Sequence, residues 1–141
     1  MMHTSKFGIA LLLLVLASAA HAESVVTLME GYASKAARND PGFTPSAERG
    51  HNFFTRKWGH SHKMPNCKTC HGDDLTREGK HVITGKRIDP LSPKADPERF
   101  TDLHKAEKWF RRNCKEVVGR ECTDAEKADL LKFFNNPGVK S

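Results

Sequence analysis

The residues of this chain with the most definite chemistry are Cys67-Lys68-Thr69-Cys70-His71. This is C-x-x-C-H, the attachment signature of c-type haem. Two cysteines three apart in a turn of helix put both sulfurs on one side, within reach of the two haem vinyl groups. The histidine that follows points its ring at the iron as a proximal ligand. The pattern predicts thioether bonds from Cys67 and Cys70, iron ligation by His71, and one covalent haem c as the cofactor.

Two other chemistries draw on the same residues. A thioredoxin-type C-x-x-C needs a βαβ surround, and the neighbouring residues read as loop and helix. A zinc site could combine Cys67 and Cys70 with Cys114 and Cys122. Thiols left over in an exported protein pair with each other more often than they bind zinc.

Haem proteins are sorted by what sits on the other face of the iron. A common electron-carrying cytochrome c uses a methionine well downstream of the histidine, and this chain has none. Its four methionines are Met1, Met2, Met29 and Met64. Met64 stands three residues before Cys67, where chain geometry makes the opposite face hard to reach. The open candidates are His81, His104, Asn113 and a vacant sixth position. His81 and His104 lie among lysines and glutamates, which suits surface histidines, and Asn113 suits a helix C-cap. The histidines of Lys57-Trp58-Gly59-His60-Ser61-His62-Lys63 read as solvated side chains of a basic loop. With His81 or His104 as ligand, the protein would be a simple electron carrier.

The elements that must position this site follow an export signal. Met1–Lys6 is a short basic lead, Phe7–Leu16 is apolar, and Ala20-His21-Ala22 is a cleavage-type ending. Residues 1–22 therefore read as a secretory signal peptide, too short in its uncharged run for the ~20 apolar residues of a spanning helix. The remaining 23–141 suit one monohaem domain with one core. Export predicts the periplasm, where haem c is attached and disulfides persist, and argues against a nucleic-acid partner. The formal charge of +6 falls to +5 without Lys6. A basic surface of that size serves solubility and can steer an acidic partner.

Within that domain, Ser24–Arg38 predicts an N-terminal extension helix with Val26, Met29 and Tyr32 or Ala33 on one face, stopped by Asn39-Asp40-Pro41-Gly42. Ser46 caps a helix whose stripe is Ala47, Gly50, Phe53 and Phe54. Residues 73–96 have loop composition, with Ile83, Ile88 and Leu91 expected along a haem edge. The next helix starts either at Asp96-Pro97-Glu98 or, after a short turn, at Thr101-Asp102. Thr123-Asp124-Ala125-Glu126 is a capping box opening the last helix, with Ala125, Ala128, Leu130, Leu131 and Phe134 as its apolar set. That helix is expected to cross the Gly50 helix, with Phe133 or Phe134 meeting the glycine.

Several segments in order resemble the SHP-type cytochromes c, an oxygen-binding subclass of class I. They are Cys67–Arg77, Thr84-Gly85-Lys86, Pro90-Leu91, Arg99-Phe100-Thr101-Asp102, Glu107-Lys108-Trp109, Arg112-Asn113-Cys114, Gly119-Arg120, Cys122-Thr123 and Glu126–Leu131. The resemblance spans about Ala47 to Phe134; the N-terminal extension and the histidine loop depart from it. It implies an all-α class I cytochrome c fold, with helices round one covalently attached haem. It also implies Asn113 as sixth ligand in the oxidised protein and a Cys114–Cys122 disulfide. Redox-linked binding of a small diatomic gas (oxygen, nitric oxide or carbon monoxide) follows, with an electron-donor cytochrome, a dihaem cytochrome c in that family. Reaction of bound oxygen with nitric oxide is then a candidate activity, which would make the protein an oxidoreductase. The physics is consistent: a neutral amide is a weak ligand, and harder ferric iron holds it better than ferrous iron does.

Overall fold

The computed structural model of the chain describes residues 24–139, so the export signal expected at 1–22 lies outside the described residues. The described chain is mostly helical. In order it runs α1 (Val25–Ala36), α2 (Ala47–Thr55), α3 (Lys68–His71), β1 (Gly79–Lys80), β2 (Arg87–Ile88), α4 (Leu103–Val117) and α5 (Asp124–Asn135). Among the described residues no helix is long and apolar enough to cross a membrane.

Helix α5 is the centre of the packing. Its start is the expected capping box: Thr123 accepts from the Glu126 amide, and Glu126 accepts from the Thr123 amide. Ala128, Leu130, Leu131, Phe133 and Phe134 are all buried, so this helix buries more than one face. Helices α1 and α2 both pack on it. The crossing with α2 falls at Gly50, as the sequence suggests. A side chain there would run into the Asp129 carbonyl oxygen and lie 2.9 Å from the Phe133 Cβ. The crossing is fastened by Asp129, which accepts from the Ser46 amide at 2.7 Å and from Arg49 Nε and Nη2, both at 2.8 Å.

Two expectations need correction. The buried face of α1 is Val25, Leu28, Met29, Tyr32 and Ala36. Val26 is 42% exposed, because one residue of offset rotates a side chain by about 100° round the helix. Among residues 73–96, read as loop alone, β1 and β2 form a two-stranded antiparallel pair with Gly79 opposite Ile88 and Lys80 opposite Arg87. Two pairs are too few for a period to show in sequence.

Of the two possible starts for α4, the second is realised. Asp102 is the N-cap, accepting from the Lys105 amide at 2.9 Å, and residues 97–100 form a turn. The break lies at Phe100, which adopts φ 63°. A left-handed phenylalanine is costly, and its surroundings hold it there. Its ring stacks on Phe134 at 5.7 Å and on Phe110 at 6.4 Å.

Candidate functional site

The single turn α3 explains why the cysteines and the histidine act together. The His71 amide donates to the Cys67 carbonyl at 3.2 Å, closing one helical turn. At about 100° per residue, Cys67, Cys70 and His71 then share one face. Gly72 ends the turn at φ 73°, a conformation that suits glycine.

Asn66 is a residue that sequence reasoning missed. Its side-chain oxygen accepts from the Thr69 amide at 3.0 Å and from the Thr69 hydroxyl at 2.8 Å. Its side-chain nitrogen donates to the Thr55 carbonyl at 3.1 Å. It thus caps the cysteine turn and ties it to the end of α2. The signal was available: an asparagine just before a short helical motif is a capping residue.

Strand β1 runs across the back of the turn. A side chain at Gly79 would overlap the Cys70 carbonyl oxygen and reach 3.0 Å from the His71 Cα, so this position needs glycine. Just beyond, the Val82 amide points at the Cys70 sulfur at 3.4 Å. Val82 and Ile83 stand 48% and 54% exposed beside that sulfur.

The electrostatics of the three residues separates the rival chemistries. Cys67 and Cys70 are free thiols, and burial, reinforced by Cys70, pushes the Cys67 thiol up to about 12. A thiol so reluctant to ionise makes a poor redox nucleophile, since that role needs thiolate. The zinc reading fails on the other two cysteines. Cys114 and Cys122 are joined in a disulfide with a Cα–Cα distance of 5.7 Å, as the family resemblance implies. His71 is lowered to about 4 by burial, with further contributions from the charges of Arg99 and His81. Its imidazole is therefore neutral at pH 7, the form in which histidine ligates metal. Two free thiols and a neutral imidazole on one face, beside the exposed Val82 and Ile83, are a donor set that fits a covalently attached haem.

The candidates for the opposite face are spread over two regions. His81 follows β1, on the segment that packs against α3, and its Nδ1 accepts from the Ile83 and Thr84 amides, each at 3.3 Å. Its charge acts on the His71 imidazole, so the two lie near each other. His104 is exposed on α4, rotated about 120° from the buried stripe of Ala106, Phe110 and Cys114. Asn113 is also exposed, but about 60° from that stripe and next to the disulfide. Helix α4 joins the cysteine turn through aromatic packing: Phe110 on Phe100, Phe100 on Phe134, Phe134 on Phe54, and Phe54 at 6.1 Å from the His71 ring.

The remaining expected contacts fall out differently. Leu91 is buried in the core, Ile88 is half-buried and Ile83 is exposed. In the histidine loop, His60 and His62 are both exposed, as the sequence suggests, and His60 also lies against a neighbour. Its ring covers Gly119, where an added Cβ would come within 2.8 Å of Nδ1. Among the described residues no three histidine, cysteine or acidic side chains are grouped to hold a metal ion.

A family model described as a domain of unknown function, DUF1924, matches residues 41–134. The cytochrome c-type protein SHP of Cereibacter sphaeroides is 47% identical over 112 residues, 79% of this chain and 82% of that protein. The solved structure of oxidised SHP, an oxygen-binding cytochrome c, is 45% identical with a TM-score of 0.72, covering 81% of this chain and 97% of that one. The solution structure of Methylophilus methylotrophus cytochrome c'', described in terms of haem-ligand detachment, is 33% identical with a TM-score of 0.66. That match covers 78% of this chain and 90% of the other.

Proposed function

Since the chain belongs to the SHP-type cytochromes c, we propose that it is a periplasmic monohaem protein that accepts an electron and then takes up a small diatomic gas. As in the other c-type cytochromes of its family, its cofactor is haem c. Cys67 and Cys70 hold that haem through thioether bonds, and His71 supplies the fixed axial ligand. Asn113 supplies the other, releasable ligand. The haem contributes a redox-active iron with a site for a neutral diatomic molecule.

One observation carries this reading. α4 sets Asn113 at the flank of its core-facing stripe, while His104 is turned away from that stripe and His81 lies near His71 on the segment packed against α3. An amide oxygen competes well for ferric iron and poorly for the softer ferrous ion. Asn113 therefore lets go on reduction, where a histidine or methionine would stay. SHP is an oxygen-binding cytochrome c and cytochrome c'' is described for haem-ligand detachment, and both likenesses support a gas site opened by a leaving ligand. The electron comes from another cytochrome, and the basic surface of this chain suits an acidic donor. Oxidation of nitric oxide by oxygen is the turnover such a site would support.

The test is the absorption spectrum of the dithionite-reduced protein with and without carbon monoxide. The reading expects a high-spin ferrous spectrum that shifts on adding the gas. It also expects Asn113→Ala to change the ferric spectrum. A reduced protein indifferent to carbon monoxide, or an Asn113→Ala variant with the wild-type ferric spectrum, would refute it.

A further inference from the structure

Tyr32 is the single tyrosine of the chain, it is 1% exposed, and the function proposed above makes no use of it. Its phenol neighbours Glu107. Burial alone would raise the Glu107 carboxyl, but Lys127, with the Tyr32 phenol nearby, outweighs burial and holds the group below its ordinary value. The Lys127 Nζ donates to both carboxylate oxygens, at 3.0 and 3.2 Å. A buried phenol thus has an ionised proton acceptor beside it. The Lys127 and Lys35 ammonium groups stand 5.1 and 5.5 Å from the centre of the tyrosine ring. Positive charge over the ring opposes a ring cation. Such a tyrosine gives up an electron only if its proton leaves with it, and Glu107 is where that proton can go.

On its other side Tyr32 begins a file of aromatic rings. Ring centres are 5.9 Å apart from Tyr32 to Phe110, 6.4 Å to Phe100 and 5.7 Å to Phe134. The file continues at 6.0 Å to Phe54 and 6.1 Å to the His71 imidazole. Offset or edge contacts at this spacing leave the rings touching. Phenylalanine is too hard to oxidise to hold an electron hole, so the four phenylalanines serve as a bridge. Of the residues on the file, only the tyrosine at its far end can lose an electron and a proton together.

We propose that Tyr32 is a redox-active residue that re-reduces an over-oxidised haem through this file, passing its phenolic proton to Glu107. The oxidant is a hydroperoxide, which takes two electrons from the ferric haem site and, with two protons, ends as an alcohol and water (two waters from hydrogen peroxide). The Tyr32 O–H bond then breaks. One electron returns to the haem site, the proton forms an O–H bond on Glu107, and a neutral tyrosyl radical remains. The haem site, still one electron short, and the tyrosyl radical are each restored by one electron from a two-electron small-molecule reductant of the dithiol or ascorbate class, which also supplies the two protons the hydroperoxide takes up, and Glu107 returns its proton to Tyr32. The inference rests on haem attachment at His71, part of the function proposed above, and is independent of gas uptake.

The experiment is freeze-quench electron paramagnetic resonance of the ferric haem-loaded protein mixed with hydrogen peroxide. The wild type is expected to show a neutral tyrosyl signal. Tyr32→Phe, which keeps the packed ring, is expected to lose that signal and to bleach its haem faster. Glu107→Gln is expected to lower the radical yield with the tyrosine still present. No tyrosyl signal in the wild type, the same signal in Tyr32→Phe, or an unchanged yield in Glu107→Gln overturns the proposal. Carbon monoxide binding by the same preparations keeps the two readings apart. A protein that forms the radical but ignores carbon monoxide retains the relay and loses the gas-binding reading, and the reverse result sinks the relay alone.

Discussion

Alanine at Gly50 and alanine at Gly31 are the same chemical change in two helices, and the structure assigns them opposite signs. Replacing an interior helical glycine by alanine gains about 0.5–1 kcal/mol from backbone entropy. At Gly31, in α1, an added Cβ meets nothing within 4 Å, so that gain is realised. At Gly50 the Cβ would collide with the Asp129 carbonyl oxygen and lie 2.9 Å from the Phe133 Cβ. Both obstacles are rigid, one being backbone and the other the first atom of a buried side chain. Relief requires α2 and α5 to move apart, which strains the Asp129 bonds to Ser46 and Arg49. Overpacking of this kind costs about 1–3 kcal/mol, more where the backbone must shift. The net for Gly50→Ala is a loss of about 1–2 kcal/mol, or roughly 4–8 °C in thermal midpoint for a domain of this size. Gly31→Ala should raise the midpoint by a few degrees. Thermal melts of the haem-loaded proteins, followed by far-ultraviolet circular dichroism at one pH, decide the matter. A Gly50→Ala protein as stable as the wild type would refute the close crossing of α2 and α5.

Two further changes test the surround of the site. Replacing Cys114 and Cys122 together by serine opens a disulfide across 8 residues and should lower stability by about 2–3 kcal/mol in urea titrations. If the disulfide also anchors Asn113, the ferric spectrum and ferrous gas binding of that variant shift as well; unchanged spectra would leave stability as its only role. Glu126 feels burial, which would raise it, but hydrogen bonds from Arg120 and Thr123 prevail and lower it. A depressed folded value means its contribution is present above the unfolded value near 4.5 and is lost as pH falls through the folded one. Glu126→Gln should therefore be less stable than wild type at neutral pH, and the gap should close in acid; a gap independent of pH would contradict this.

The sequence is legible where a signal is local. The Thr123–Glu126 capping box, the Ser46 cap and the cysteine turn are set by residues three or four apart, and each forms where the spacing puts it. The start of α4 was ambiguous because both Asp96 and Asp102 can cap. The choice is made by Phe100, whose left-handed backbone is held by Phe110 and Phe134, residues 10 and 34 positions away. The packing of His60 over Gly119 was hidden for the same reason: a polar loop carries no sign of a partner some sixty residues on. Gly79 looked like loop punctuation, and only the strand passing behind Cys70 shows that no other residue fits there.

If Asn113 is the releasable ligand proposed above, its position lets it leave without disturbing the fold. Helix α4 is held by Ala106, Phe110 and Cys114 in the core, by the Asp102 cap and by the disulfide, and Asn113 takes part in none of these. A donor at position 110 or 114 could not swing out without emptying packed volume, a cost of about 2–5 kcal/mol for a large apolar side chain. From the flank of the stripe, departure of the amide is a side-chain rotation against a fixed backbone. Its cost is then set by the strength of the amide's own bond, which the oxidation state controls. The rigidity of α4 and the weakness of its ligand are thus complementary requirements. In the proposed reading, a firm helix would return the amide to the same place, and a feeble donor would let one electron release it.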